Sequence, residues 1–136
     1  MKIVADENIP YATEAYSCFG EVVLAPGRGI DRDILMDADA LIVRSITKVN
    51  RALLAGTPVK FVGTCTIGED HVDKAYLAEQ GIGFSSAPGC NANSVGQYIV
   101  SALLVLADKH GLDLSKLSLG IVGVGNVGRR VLAKAR

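Results

Sequence analysis

The sequence predicts an α/β fold built on a parallel sheet with both faces covered. Three observations predict it. Short β-rich apolar runs alternate with helical stretches along the chain. Those runs are apolar continuously rather than at every second residue, the pattern of strands buried on both faces. Apolar residues make up 49% of the 136 positions, enough to fill such a core.

The elements follow in order. Lys2-Ile3-Val4-Ala5 reads as the first strand, and Ile9 to Phe19 as a helix stopped by Gly20. Glu21 to Leu24 is the second strand, followed by the loop Pro26-Gly27-Arg28-Gly29. Asp31 is placed to cap a short helix through Leu35. Ala40-Leu41-Ile42-Val43 is the third strand, and Asn50 caps a short helix ending at Gly56. Lys60-Phe61-Val62-Gly63 is the fourth strand. Asp73 to Gln80 is helical with Gly81 at its C′ position, and Gly83 to Ser85 is a short fifth strand. This β-α-β-α order favours parallel connections.

From Pro88 onward the pattern changes. Pro88 to Asn93 is a loop, with Asn93 as candidate N-cap of a helix from Ser94 to about Lys109. That helix is apolar nearly all round, through Val95, Ile99, Val100, Leu103, Leu104, Val105 and Leu106. Such a helix is normally buried on most sides and suits a position between two domains. A polar link from Lys109 to Lys116 leads to a strand, Leu119 to Val122, and to a helical run from Asn126 to Arg136. The expected organisation is a first domain over 1–93, a helix and linker over 94–116, and the start of a second domain over 117–136. One strand and one helix cannot complete a domain, because an isolated strand has no ladder partners. The last helical run also carries no stop signal, so the chain reads as the front part of a longer protein.

Composition excludes several classes. The 14 basic side chains balance 14 acidic ones, and no basic cluster marks a nucleic-acid surface. No polybasic amphipathic helix marks a membrane surface. The longest apolar stretch, Val95 to Ala107, is interrupted by Gln97, Tyr98 and Ser101. It is shorter than the ~20 residues a bilayer requires. Cys18, Cys65 and Cys90 form no C-x-x-C pair, and His71 and His110 lie far apart. Neither a disulfide framework nor a zinc site is implied. The expectation is a reduced, cytoplasmic protein without metal, nucleic-acid or membrane partners.

Two kinds of loop carry chemistry. Gly123-Val124-Gly125-Asn126-Val127-Gly128 is G-x-G-x-x-G, placed after a predicted strand and opening a predicted helix. Gly123 permits the tight turn, Gly125 lets a pyrophosphate approach the backbone, and Gly128 lets helix pack closely on strand. The free N–H groups of the helix start then face the phosphates. The competing reading is a strand–helix turn that binds nothing. The acidic ribose ligand expected ~20 residues further on lies past Arg136, so the motif does not choose between NAD and NADP.

The other loops follow the strands, where open α/β sheets bind ligands. Arg44-Ser45-Ile46-Thr47-Lys48 offers two cations and two hydroxyls, suited to a phosphate or carboxylate. Gly63 to Asp70 exposes backbone N–H groups and threonine hydroxyls that can bind an anion. Each has a polar surface turn as its competing reading. Cys65 reads as a small packed residue, and His71 and Asp73 as residues that position the fourth-strand loop and cap the helix after it.

The combination of Gly68-Glu69-Asp70-His71-Val72-Asp73, Ala87-Pro88-Gly89-Cys90-Asn91 and Gly120 to Gly128 resembles the D-2-hydroxyacid dehydrogenase family. Asp6 to Tyr11 and Val43 to Asn50 add to the likeness. The resemblance implies a flavodoxin-like parallel-sheet substrate domain followed by the first strand, glycine loop and helix of a Rossmann dinucleotide-binding domain. It implies NAD as cofactor, a small phosphorylated hydroxy acid as substrate, and a homodimer for the full-length protein. Ser45 and Thr66 match substrate-binding positions, with Arg44 as phosphate partner. Asn126 and Val127 match the cofactor loop formed with Gly123, Gly125 and Gly128.

The family's catalytic Arg, Glu and His fall past residue 136, so no catalytic residue is expected in this chain and the chain alone is expected to be inactive. Gln97 departs from the family, where many members carry Glu. Gly96 beside it lowers helix propensity by ~1 kcal/mol relative to Ala, which a close contact with cofactor or backbone would account for. Three alternatives stay open at this point. They are dehydrogenation of phosphoglycerate or glycerate, an NAD-sensing corepressor on the same fold, and a receiver module in which the glycine loop is incidental. A receiver needs a phosphorylatable Asp among acids at a strand end, and the third strand ends in Arg44-Ser45 instead.

Overall fold

The apolar runs of the first 87 residues assemble into one sheet. In the computed structural model, which describes residues 1–135, the strands are β1 (Lys2–Asp6), β2 (Glu21–Ala25), β3 (Ala40–Val43), β4 (Phe61–Thr64) and β5 (Gly83–Ser85). All pairings are parallel and the order is β2-β1-β3-β4-β5. This is the flavodoxin-like order, with a reversal between β1 and β3. The register sets Val4 beside Leu41 and Leu41 beside Val62. Side chains alternate between faces, so Val4, Leu41, Val43 and Val62 share one core with Leu35, Val49, Leu54 and Leu77. Ile3, Ala5, Ala40 and Ile42 point the other way, against Ile9 and Ala12. Two filled faces explain why β1 and β3 are apolar at successive positions.

The helices of this unit are α1 (Ala12–Tyr16), α2 (Arg51–Leu54) and α3 (Lys74–Glu79). The caps anticipated for α2 and α3 form: Asn50 Oδ1 accepts from Leu53 N at 3.2 Å, and Asp73 Oδ1 from Tyr76 N at 3.0 Å. α1 is shorter than the helix expected over 9–19. Pro10 disfavours helical geometry at Ile9, and Tyr11 enters the left-handed region at φ 58°, so helical geometry begins only at Ala12. The expected helix from Asp31 to Leu35 is a series of turns. Asp31 Oδ1 does accept from Ile34 N at 3.1 Å, but the bonds that follow, such as Leu35 N to Arg32 O at 3.1 Å, span three residues, not four. Asp37 and Asp39 hold the next residues to Lys2, through an ion pair at 2.7 Å and a bond from Lys2 N at 2.8 Å.

The chain divides by contacts between Ala87 and Pro88. The second unit holds α4 (Ala92–His110), a 3₁₀ turn at Leu114–Lys116 and α5 (Asn126–Lys134). α4 starts two residues before the expected Ser94, with Asn91 rather than Asn93 at its N-cap and no side-chain cap bond. It ends at Gly111, φ 62°, as Leu112 N reaches back to Ala107 O at 2.8 Å. α4 and α5 pack together at Gly96, where a Cβ would lie 3.0 Å from Arg130 Cβ. A close backbone approach therefore accounts for this mid-helix glycine.

Two expectations need correction here. α4 is buried only at Ala92, Gly96 and Ala107, while Tyr98 is 74% and Val105 66% exposed, so it is not enclosed on most sides. The run 119–122 does not form a strand among the described residues, and Val122 is fully exposed. A strand exists only as part of a ladder, and this unit supplies no neighbour. No helix among the described residues is long and apolar enough to cross a membrane.

Candidate active site

Parallel strands send every loop that follows them to one edge of the sheet. Sheets of this order commonly bind ligands at this edge, near the reversal between β1 and β3. The loops after β3 and β4 line this edge, and backbone bonds tie them together. Val49 N donates to His71 O and Asp73 N to Val49 O, both at 2.8 Å, forming a one-residue parallel bridge between Val49 and Val72. Cys65 N donates to Val43 O at 2.9 Å. Ser86 Oγ, just past β5, donates to Glu69. The edge is thus held by bonds between segments distant in sequence, which favours binding without much reordering.

Ser45, Ile46 and Lys48 from the β3 loop share an open cleft of about 300 Å³ with Gly68, Asp70 and His71 from the β4 loop. Arg44 is half-buried, is not part of this cleft, and has no ion-pair partner among the described residues. Thr66 is half-buried beside the cleft and donates from Oγ1 to Gly68 O at 3.3 Å. Thr47 departs from its reading as an anion-facing hydroxyl. It is buried, and its Oγ1 donates to Gly27 O at 2.8 Å, fastening the β3 loop to the loop after β2. Buried hydroxyls need a partner, and the nearest one lay inward.

A residue that the sequence did not single out stands at the centre. Thr64, the last residue of β4, is buried, and its Oγ1 lies 3.0 Å from both Thr66 Oγ1 and His71 Nε2. The available signal was a hydroxyl closing an otherwise apolar strand. Burial pulls the His71 imidazole below its ordinary pKa, against the opposing pull of Asp70 and Glu69. Hydrogen bonds from Lys74 and Ser86 hold the Glu69 carboxyl below its usual range. Burial, helped by a 3.7 Å contact with Cys65 Sγ, pushes the Tyr16 hydroxyl up to about 12. Asp6 at the end of β1 is fully buried, with Oδ1 accepting from Asn8 N at 2.9 Å. That enclosure does not suit a receiver-type phosphoacceptor. Among the described residues no group of three or more His, Cys, Asp or Glu could hold a metal.

In the second unit, three glycines have three separate surroundings. Gly123 has φ +86°, a turn that only glycine makes without strain. A Cβ on Gly128 would overlap the Gly123 carbonyl, so helix and turn touch there. Around Gly125 nothing lies within 4 Å of a Cβ, which leaves room for a phosphate. The N-terminus of α5 carries no side-chain cap, so its first N–H groups are free to meet an anion. Asn126 sits against Gly89 and accepts from Arg129 Nη2 at 2.8 Å, and Val127 is half-buried. The arrangement fits a dinucleotide pyrophosphate. Gly89, part of the Ala87 to Asn91 motif, has φ +79° and makes room for Asn126.

The sequence model of the family described as D-isomer specific 2-hydroxyacid dehydrogenase, catalytic domain, matches residues 3–128. This chain belongs to that family. Among its curated relatives, the erythronate-4-phosphate dehydrogenases of Escherichia coli O157:H7 and of Shigella flexneri are each 60% identical to it over 134 residues. Each alignment covers 98% of this chain and 35% of the relative, so the chain spans about a third of their length. Among solved structures, the TT0316 protein of Thermus thermophilus matches with TM-score 0.82 at 21% identity, over 99% of this chain and 52% of that one. The D-lactate dehydrogenase of Aquifex aeolicus, complexed with NAD and lactic acid, matches with TM-score 0.75 at 21% identity, over 99% and 48%. These distant likenesses show the fold that the family shares.

Proposed function

We propose that the whole protein oxidises 4-phospho-D-erythronate to 2-oxo-3-hydroxy-4-phosphobutanoate in vitamin B6 biosynthesis. The observation that carries the reading is the 60% identity, across 98% of this chain, to erythronate-4-phosphate dehydrogenases. In the reaction the C2 hydrogen leaves as hydride and the C2 hydroxyl loses its proton, giving the 2-oxo acid. NAD, when bound, accepts the hydride, giving NADH.

Residues 1–93 bind the substrate, 94–116 link the domains, and 117–136 open the NAD-binding domain. Arg44, Ser45 and Thr66 hold the anionic acid, since a cation and hydroxyls at a strand-end edge give charge-assisted bonds to phosphate or carboxylate. Gly123, Gly125 and Gly128, with Asn126 and Val127, cradle the NAD pyrophosphate at the start of α5. The catalytic Arg, Glu and His come from outside these 136 residues, and the whole protein works as a cytoplasmic homodimer.

The test is NADH formation by the whole protein with 4-phospho-D-erythronate, and with 3-phosphoglycerate as control. Turnover confined to phosphoerythronate is expected. Preference for 3-phosphoglycerate keeps the family and overturns the substrate, and absence of NADH with either acid overturns the reading.

A further inference from the structure

The hydroxyls of Thr66 and Thr64 and the imidazole of His71 form an unbroken chain. Thr66 Oγ1 reaches Gly68 O at 3.3 Å on one side and Thr64 Oγ1 at 3.0 Å on the other, and Thr64 Oγ1 reaches His71 Nε2 at 3.0 Å. Thr64 is buried at the end of β4, so its single proton has only these two side-chain partners to choose between. The choice is made at His71. When Nε2 carries a proton it donates to Thr64, and the Thr64 proton turns to Thr66 Oγ1. The Thr66 proton is then free to point at an arriving anion in place of Gly68 O. In the neutral imidazole that keeps its proton on Nδ1, Nε2 is bare and takes the Thr64 proton, and the single Thr66 proton turns back to Thr64 Oγ1 or Gly68 O. Aligned bonds also polarise one another, which strengthens the donor at the end of the chain.

We propose that His71 is a positioning residue that sets, through Thr64, whether Thr66 offers its proton to an anionic substrate, so that anion affinity follows the protonation of His71. This deepens the function proposed above and rests on its placing of Thr66 against the substrate. The imidazole also lines the cleft that holds Ser45 and Lys48, so its positive charge would face the same ligand. The charged groups around it are Glu69 and Asp70 on its own loop, Lys48 on the loop after β3, and Asp73 in the adjoining cleft. Glu69 is already engaged by Lys74 at 2.7 Å, which weakens its hold on the imidazole.

The sign follows from linkage. A bound anion favours the protonated imidazole, so it raises the His71 pKa, and the extra affinity is present at low pH and lost as pH rises through that pKa. The substrate's own titration cancels in a ratio of KM values taken at the same pH. His71→Gln keeps an N–H donor but cannot titrate. In the whole protein, the KM of His71→Gln divided by that of wild type is expected to rise about three- to tenfold from pH 8 to pH 5, with little change in kcat, as one gained hydrogen bond implies. A ratio independent of pH overturns the proposal.

A second reading does not need turnover. The His71 imidazole is titrated by NMR in the whole protein, with and without inorganic phosphate. Phosphate should raise the His71 pKa in wild type and raise it less in Thr64→Val, where the chain is cut. A response to phosphate that is equal in the two proteins, or absent from both, overturns the relay. If the wild type makes no NADH from phosphoerythronate, the proposed function fails while this titration still decides the relay.

Discussion

In the first unit every strand has a hydrogen-bonded neighbour, and Val4, Leu41, Val43 and Val62 are sealed from solvent. In the second unit the run Leu119 to Val122 has no neighbour among the described residues, and Leu104, Val105, Leu117 and Val122 stand exposed. Yet the glycine loop of the second unit keeps its turn at Gly123 and its close contact at Gly128. The difference separates two kinds of structure. A loop whose shape is written in φ values and in contacts a few residues apart forms without its sheet, whereas a strand does not. The substrate-side loops are of the opposite kind, since Val49, His71, Thr47 and Gly27 hold one another across the sequence.

The largest expected effect tests cohesion itself. In the 136-residue chain, Leu41→Ala should cost about 2–5 kcal/mol in urea unfolding, because it empties a site between packed layers. Val122→Ser should stay within about 0.5 kcal/mol, as exposed substitutions do. Equal losses would break the distinction between the units.

A smaller effect sharpens the account of the glycine loop. Gly125 has φ −81° and open space around it, so Gly125→Ala should leave unfolding unchanged. In the whole protein the same change should weaken NAD binding by about tenfold or more, some 1.4 kcal/mol, by crowding the phosphates. Gly128→Ala should lower both stability and NAD affinity, because its Cβ meets the Gly123 carbonyl. If Gly125→Ala binds NAD as wild type does, by calorimetric titration, the phosphate does not sit there.

The smallest effect concerns one cap. Asp73→Ala removes the acceptor for Tyr76 N and should cost about 1 kcal/mol in the same urea experiment. The backbone bond between Val49 and Asp73 does not use the side chain, so the bridge between the β3 and β4 loops should survive. A rise in KM of the whole protein matching that of a Thr66→Val variant would show that the cap and the loop are not separable.

Much of this molecule was legible before folding. The five strand runs of the first unit, the caps at Asn50 and Asp73, the turn at Gly123 and the close contact at Gly128 depend on residue type and on neighbours within a few positions. The expected first helix, 9–19, is longer than α1 because Pro10 and the left-handed Tyr11 delay its start to Ala12. The site was legible as loops. Ser45 and Thr66 fall on the edge where ligands bind, but composition did not tell which hydroxyl of the β3 loop faces outward.

By itself the sequence determined the parallel α/β class, the caps at Asn50 and Asp73 and the G-x-G-x-x-G turn, because hydrophobic runs, cap side chains and glycine φ values act over short stretches of chain. Tertiary structure alone decided that Thr47 turns inward to Gly27 and that Thr64 joins Thr66 to His71. Each of those outcomes is a hydrogen bond made or missing between groups whose partner is set by packing. A hydroxyl or a strand edge takes whichever partner the fold brings within about 3 Å, and residue type does not name that partner.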